Sequence, residues 1–273
     1  MKNQQSILIT GCSSGIGLET ALYLQKKGFL VFATARKKKD VQTLKDHGLK
    51  SFLLDVTKTD TIRDTLESIL TQTEGTLDIL FNNAGFGQPG ALEDIPTQAL
   101  KDQFETNVFG LHELTKQVLP IMQAQGYGKI INHSSVLGLV SLKFRGAYNA
   151  SKYAVEGLSD TLRLELEGTN IYISLLNTGP IISNFRENAK KKIKQNIDIN
   201  NSRFTATYIK NLDSKKSDVP FTLQANEVAK VVEIICNTSK PRPRYYITKA
   251  TYILGYLKRF LSTQLLDQVL KKI

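Results

Sequence analysis

Thr10-Gly11-Cys12-Ser13-Ser14-Gly15-Ile16-Gly17 follows directly on an apolar run, Ser6–Ile9, and opens a helical pattern. A strand that turns into a helix through glycines gathers free backbone N–H groups and the positive end of a helix at one point. That suits a diphosphate. Glycine also lets the chain turn tightly and lets backbone approach phosphate oxygens with no Cβ between. The spacing here is G-x-x-x-G-x-G rather than G-x-G-x-x-G.

Outward from this turn, strand-like and helix-like patterns alternate. Apolar or β-rich runs fall at 29–35, 51–54, 77–81, 129–132, 171–176 and 245–248, with amphipathic stretches at 60–72, 98–125 and 147–167 among the intervals. Continuously apolar strands alternating with helices predict an α/β fold. The expected architecture is a single-domain, Rossmann-type, doubly wound parallel sheet with helices on both faces, over 1–248. In such sheets ligands sit at the carboxyl ends of the strands. One stretch breaks the rhythm: 187–219 is rich in Lys, Asn and Ser, and Lys190-Lys191-Lys192 reads as a solvated helix face. Its place after the sixth strand suits a substrate lid, with a plain loop as the other reading. From Thr251 on, Ile253, Leu257, Phe260, Leu261, Leu265, Val269 and Leu270 recur at helical spacing beside Lys258, Arg259, Lys271 and Lys272. This predicts one C-terminal amphipathic helix over 249–273, whose apolar side meets a membrane surface, its own core or a second subunit.

With 273 residues, 41% of them apolar, the chain can bury a full core. Its 36 Lys and Arg against 25 acids give a net charge of +11, which gathers anions such as nucleotide phosphates or acidic lipid. Without zinc spacing or an aromatic-basic RNA-binding pattern, no nucleic-acid partner is expected. His47, His112 and His133 stand singly, so no metal site is expected and each reads as an ordinary surface or packing residue. Two cysteines, Cys12 and Cys236, are too few for a disulfide framework and match a reduced compartment. With no secretory signal and no membrane-spanning run in the sequence, the expectation is a cytoplasmic protein, at most peripheral to a membrane.

The strand ends carry the chemistry. The second ends Ala33-Thr34-Ala35-Arg36-Lys37, so Arg36 stands 19 residues past Gly17, near where an acid would hold the adenosine ribose hydroxyls. A guanidinium pairs with a 2′-phosphate that a carboxylate would repel, which predicts NADP(H). The third strand runs into Asp55-Val56, within reach of an adenine amino group, and the fourth into Asn82-Asn83-Ala84-Gly85, small residues beside a flat ligand. The fifth ends His133-Ser134-Ser135. Thirteen residues later comes Tyr148, with Lys152 at i+4 on the same helix face. A phenol titrates near pH 10, and an ammonium with a cationic nicotinamide ring favours phenolate. Lowering its pKa by about two units takes about 3 kcal/mol.

Thr-Gly-x-x-x-Gly-Ile-Gly, Asn-Asn-Ala-Gly, the mid-helix Asn107, Ser135 and Tyr148-x-x-x-Lys152 together resemble the short-chain dehydrogenase/reductase superfamily. Within it Thr10–Gly17 and Thr34-Ala35-Arg36 are most similar to NADP-preferring members related to hydroxysteroid and retinol dehydrogenases, including bacterial aldehyde reductases. The resemblance implies that Tyr148 is the proton donor and that Lys152 lowers its pKa while holding the nicotinamide ribose. Ser135 then hydrogen-bonds the substrate carbonyl, and Asn107 anchors a proton-relay water. For the cofactor it implies Gly11, Ser13, Ser14, Gly15, Ile16 and Gly17 around the diphosphate, and Ser14, Arg36 and Lys37 at the 2′-phosphate. Asp55 and Val56 fall to the adenine, with Asn83, Ala84 and Gly85 alongside. Gly179, Ile181 and Ser183 join Tyr148 and Lys152 at the nicotinamide end. The chain departs from the family at Thr178-Gly179-Pro180, where Pro-Gly is usual, and Ser183 replaces the usual Thr.

The implied reaction is reduction of an aldehyde or ketone with hydride taken from NADPH. Phe86, Val136, Leu137, Leu139, Phe144, Phe185 and Phe204 suggest an apolar substrate cavity. Three alternatives stand beside this reading. One is oxidation of a sterol- or retinol-like alcohol, and another is a ketoacyl reductase docking an acidic carrier. The third is a non-catalytic NADPH-binding protein, for which a proton donor would be superfluous.

Overall fold

A computed structural model describes residues 4–213 and 219–273. The first half alternates β1 (Ser6–Ile9), α1 (Gly15–Lys26), β2 (Leu30–Ala35), α2 (Lys38–Asp46), β3 (Lys50–Leu53), α3 (Thr59–Gln72) and β4 (Ile79–Asn82). Then come α4 (Thr97–Phe104), a π-helical segment (Glu105–Gly110), α5 (Leu111–Gln125) and β5 (Gly128–Ser135). A 3-10 turn (Val136–Gly138), α6 (Gly146–Glu165) and β6 (Ile171–Thr178) follow. The remainder is α7 (Phe185–Asn196), α8 (Thr205–Asp213), α9 (Ala225–Asn237), β7 (Arg244–Tyr246), α10 (Lys249–Phe260) and α11 (Thr263–Leu270).

The seven strands form one sheet in the order β3-β2-β1-β4-β5-β6-β7. Every pair is parallel. The chain works outward from β1 to β3, then returns to β4 on the other side of β1. That reversal opens a crevice at the carboxyl ends of β1 and β4. Alternation along β1 divides the core. Ile7 and Ile9 pack with Leu24 of α1, Leu44 of α2 and Val232 of α9, while Leu8 joins Ile62 of α3, Val118 of α5 and Leu162 of α6 on the other face. Each of these three β1 side chains is fully buried, worth about 1.5–3 kcal/mol in transfer free energy. The fold class read from the sequence is the fold observed.

The differences have local causes. The run at 29–35 starts its strand at Leu30, because Gly28 at φ +87° closes α1 and Phe29 donates back to the Leu24 carbonyl at 3.1 Å. The last strand is Arg244–Tyr246 rather than 245–248, since Thr248 caps α10 by accepting from the Thr251 N–H. The helix expected over 98–125 is broken by the π-helical segment that contains Asn107. The stretch 187–219 is neither extended loop nor plain solvated helix: α7 and α8 pack Ile193, Ile197 and Tyr208 into a small core of their own. Tyr208 accepts from the Ala91 N–H and donates to Asp94 at 2.7 Å. Residues 214–218 of that stretch lie outside the described residues. The tail expected as one helix is two, because Ser262 caps α11 with its hydroxyl on the Leu265 N–H.

Candidate active site

The turn after β1 is shaped by its glycines. Gly11 and Gly15 hold φ of +72° and +59°, conformations that L side chains rarely adopt. A Cβ on Gly17 would lie 2.4 Å from the Gly11 carbonyl oxygen, so the helix can start this close to the strand only without one. Ser14 is the N-cap of α1, makes no side-chain capping bond, and no acid stands in the first turn. Half-buried Ser14 and exposed Ser13 leave hydroxyls beside the helix end. Past β2, Arg36 and Lys37 are exposed, and the first acid after them is Asp40, inside α2. Asp55 is turned by its own loop, accepting from the Thr57 N–H and hydroxyl through one carboxylate oxygen. Val56 is buried against the π-helical segment, where a Cβ on Gly110 would strike it. An uncapped, acid-free helix start with a guanidinium one strand over is a donor set that fits the phosphates of a dinucleotide.

Across the crevice three of the four expected side chains stand together, and the fourth, Asn107, is held against the same helix through Ser151. Tyr148 and Lys152 lie one turn apart on α6, with the Lys152 Nζ 5.6 Å from the Tyr148 ring centre. Lys152 is buried and donates to the His133 carbonyl at 2.6 Å, which aims its ammonium. Ser135 ends β5, accepts from the Leu137 N–H at 3.1 Å and lies near enough to the Tyr148 phenol to favour its ionised form. Asn107 is delivered by the π-helical segment, a feature that re-aims side chains at functional sites. Its amide accepts from Phe86 N–H at 3.1 Å and donates to the Phe86 carbonyl and the Ser151 hydroxyl. Both of its polar side-chain atoms are thus engaged, clamping the loop after β4 to α6.

The electrostatics depart from expectation. Burial pushes the Tyr148 phenol up to about 12, and the nearby Ser135 hydroxyl offsets only part of this. The protein alone therefore holds Tyr148 as the neutral acid. Burial pulls Lys152 down to about 8, opposed by the Glu156 carboxylate one helical turn on.

His133, read from sequence as a surface or packing residue, is a buried bridge. Its Nδ1 meets the Asn83 Oδ1 at 3.0 Å and its Nε2 the Thr178 hydroxyl at 3.1 Å. Burial, then Lys152, drives its pKa down to about 3, so the ring is neutral. The Asn83 amide donates to the Thr10 carbonyl, which leaves Oδ1 facing His133. The imidazole thus donates from Nδ1 and accepts from Thr178 at Nε2. Thr10 in turn accepts from the Asn83 and Ala84 N–H groups. One hydrogen-bonded rank therefore ties the ends of β1, β4, β5 and β6. Thr178, where the family usually has Pro, gives this rank its last member. Asn83 and Ala84 act as structure around the crevice, Ala84 lying where a Cβ on Gly11 would strike it. Gly85 backs onto the Asn107 amide.

A second buried group escaped the sequence reading. Glu156 accepts from Asn177 at 2.6 Å, from the Ser134 hydroxyl and from Arg244, and burial holds its carboxyl above the usual range. Only the i+4 spacing from Lys152 could have flagged it. After β6, Gly179 is required by packing, since a Cβ there would lie 2.0 Å from the Thr248 hydroxyl oxygen. Ile181 pairs with Leu223 and packs on the core. Ser183 stands over Gly15, where an added Cβ would be 3.1 Å away, so the segment after β6 and the glycine turn close on one space.

On the substrate side, Phe185 opens α7 and sets its ring edge-on to Tyr148, centroids 5.5 Å apart. Lys192 lies over the Phe86 ring. The expected cavity is only partly realised: Phe144 and Phe204 meet edge to face beside Tyr208, and Val136 and Leu137 pack against the tail.

The profile of a family described as short chain dehydrogenase matches residues 5–194. The chain is 38% identical over 268 residues to the uncharacterized oxidoreductase YbbO of Escherichia coli, covering 98% of this chain and 94% of that one. It is 40% identical over 191 residues to human retinol dehydrogenase 8, covering 66% of this chain and 60% of that one. Human 17-beta-hydroxysteroid dehydrogenase type 1 is 32% identical over 258 residues, 89% of this chain and 77% of that one. Among solved structures, an actinorhodin polyketide ketoreductase with NADPH superposes at a TM-score of 0.75 with 28% identity, covering 93% of this chain and 98% of that one. A short-chain dehydrogenase/reductase from Burkholderia phymatum with NAD superposes at 0.73 with 26% identity, covering 93% and 92%. The chain is an oxidoreductase of the short-chain dehydrogenase/reductase family.

Proposed function

We propose that this protein is an NADPH-dependent reductase of apolar aldehydes or ketones, with Tyr148 as the proton donor. The observation that carries the reading is the convergence of Tyr148, Ser135, Lys152 and Asn107 on one crevice whose other end offers Arg36 in place of an acid. Bound there, the nicotinamide supplies the hydride. Ser135 hydrogen-bonds the carbonyl oxygen, and Tyr148, neutral at working pH, gives it a proton. Lys152, charged below about pH 8, stabilises the phenolate left behind and holds the ribose hydroxyls. Gly11, Ser13, Gly15, Ile16 and Gly17 take the diphosphate, and Ser14, Arg36 and Lys37 take the 2′-phosphate. Asp55 and Val56 face the adenine, while Gly179, Ile181 and Ser183 border the carboxamide. Phe185 and Phe86 give the substrate an apolar wall, and α7 and α8 form the lid above it.

Relatives named for ketone reduction support the direction, among them a 3-ketodihydrosphingosine reductase of Bacteroides thetaiotaomicron, 39% identical over 184 residues. The retinol and hydroxysteroid relatives favour, as a second reading, oxidation of an apolar alcohol at the same site. NADPH absorbance against a panel of long-chain aldehydes, ketones and alcohols tests both. The expected result is carbonyl-dependent consumption of NADPH, slower with NADH and abolished by Tyr148→Phe. Consumption that survives Tyr148→Phe removes the proposed role.

A further inference from the structure

The outward side of α10 is used by neither the fold nor the active site. Its inward side carries Leu254 and Leu257 into a cluster with Leu266 of α11 and with Val136, Leu137 and Val140 on the loop that follows Ser135. Its outward side presents Tyr252, Ile253, Tyr256 and Phe260 to solvent, with Phe260 81% exposed. Their spacing, i, i+1, i+4 and i+8, makes one stripe about two turns long. An apolar stripe of that length facing water marks an interaction surface. Lys249, Lys258 and Arg259 flank it, all exposed, and α10 contains no acid.

Beside the stripe, a cavity of about 270 Å³ opens between α10 and the loop after β5, lined by Arg244, Lys258, Arg259, Tyr246 and Glu156 among others. The one carboxylate in its wall is already occupied, its oxygens engaged by Ser134, Asn177 and Arg244. Lys258 and Arg259 make no ion pair among those described. The rings of Tyr246 in the cavity and Tyr252 on the stripe touch, 5.4 Å between centres, so basic cavity and apolar stripe form one continuous surface.

We propose that α10 seats the protein on an anionic phospholipid bilayer. Tyr252, Ile253, Tyr256 and Phe260 enter the boundary between headgroups and acyl chains, and Lys258 and Arg259 take a lipid phosphate at the cavity mouth. The charge pattern selects this occupant over a second copy of the chain. A two-fold contact through the stripe would bring the same basic flanks face to face, whereas an anionic surface neutralises them. Tyrosines beside aliphatic residues with cations at the margin are the composition of a helix lying in the interface plane. No helix among the described residues is long and apolar enough to cross a membrane, which matches attachment along the surface. The inner face of α10 rests on the loop carrying Ser135, so the bilayer would lie one helix thickness from that loop.

Sedimentation of the full-length protein with vesicles tests this. Phosphatidylcholine vesicles doped with phosphatidylglycerol are expected to carry the protein down, and phosphatidylcholine alone to leave it in solution. About 1 M salt, where the Debye length falls to ~3 Å, is expected to release it. Ile253→Glu with Phe260→Glu is expected to cut binding at least about tenfold without changing turnover of a water-soluble carbonyl substrate, because both side chains are exposed on the outward side of α10. Lys258→Glu with Arg259→Glu is expected to remove the preference for anionic vesicles. The proposal is overturned if the protein ignores anionic vesicles, or if binding is indifferent to both double substitutions. It is equally overturned if light scattering shows a dimer that Ile253→Glu with Phe260→Glu dissociates.

Discussion

The two halves of the crevice are made differently. On the β1–β3 side the chain works with backbone: glycines at positive φ, an uncapped helix start and a turn with no room for a Cβ at Gly11 or Gly17. On the β4–β7 side it works with side chains drawn from distant segments. Asn83, His133 and Thr178 join strand ends, and Asn107, Ser135, Tyr148 and Lys152 come from a π-helical segment, a strand and a helix. Backbone geometry is local and survives changes elsewhere. Side-chain convergence depends on the whole sheet being in register, and on burial to set each group's charge.

This contrast can be broken at either half. The largest expected effect is on the side-chain half, where Tyr148→Phe should lower carbonyl turnover about 10³-fold, the scale of losing a positioned general acid, while leaving cofactor affinity near wild type. Single-turnover absorbance with a separate binding titration separates the two. On the backbone half, Arg36→Glu should cut the preference for NADPH over NADH by about 10- to 100-fold, the worth of a charge-assisted bond to phosphate. The ratio of kcat/KM for the two cofactors reads it directly. Gly17→Ala should cost about 1–3 kcal/mol in denaturant unfolding, since its new methyl meets a carbonyl oxygen rather than a flexible side chain.

The smallest effect sharpens the comparison. His133 titrates near 3 when folded and near its ordinary 6.5 when unfolded, so between those values the unfolded chain binds the extra proton. Stability is then complete above pH 6.5 and falls as pH drops, by up to about 1.4 kcal/mol per pH unit from this one group. In His133→Gln the profile from pH 6 to pH 4 should be flatter by that amount. An unchanged slope would mean the ring is not held neutral by burial.

How much the sequence reveals follows the same division. Alternating apolar runs give the seven-stranded parallel sheet, and Gly11, Gly15 and Gly17 give the turn, because both signals lie within a few residues of one another. Tyr148 and Lys152 are legible as a helical pair. His133 is not, since nothing nearby in the chain shows that Asn83 and Thr178 will stand on either side of its ring. Nor does sequence show that burial outweighs the help from Ser135 and raises the Tyr148 pKa. The tail resisted for a smaller reason: a single hydroxyl, Ser262, starts a new helix inside what reads as one amphipathic stretch.

Titration calorimetry of the purified protein with NADPH and with NADH tests most directly that a dinucleotide bearing the extra phosphate lies on the glycine turn with its ring toward Tyr148. Saturable heat is expected with NADPH at a Kd at least about tenfold below that for NADH, a gap of about 1.4 kcal/mol or more that Arg36→Glu erases. Absence of heat with both, or tighter binding of NADH, would contradict it.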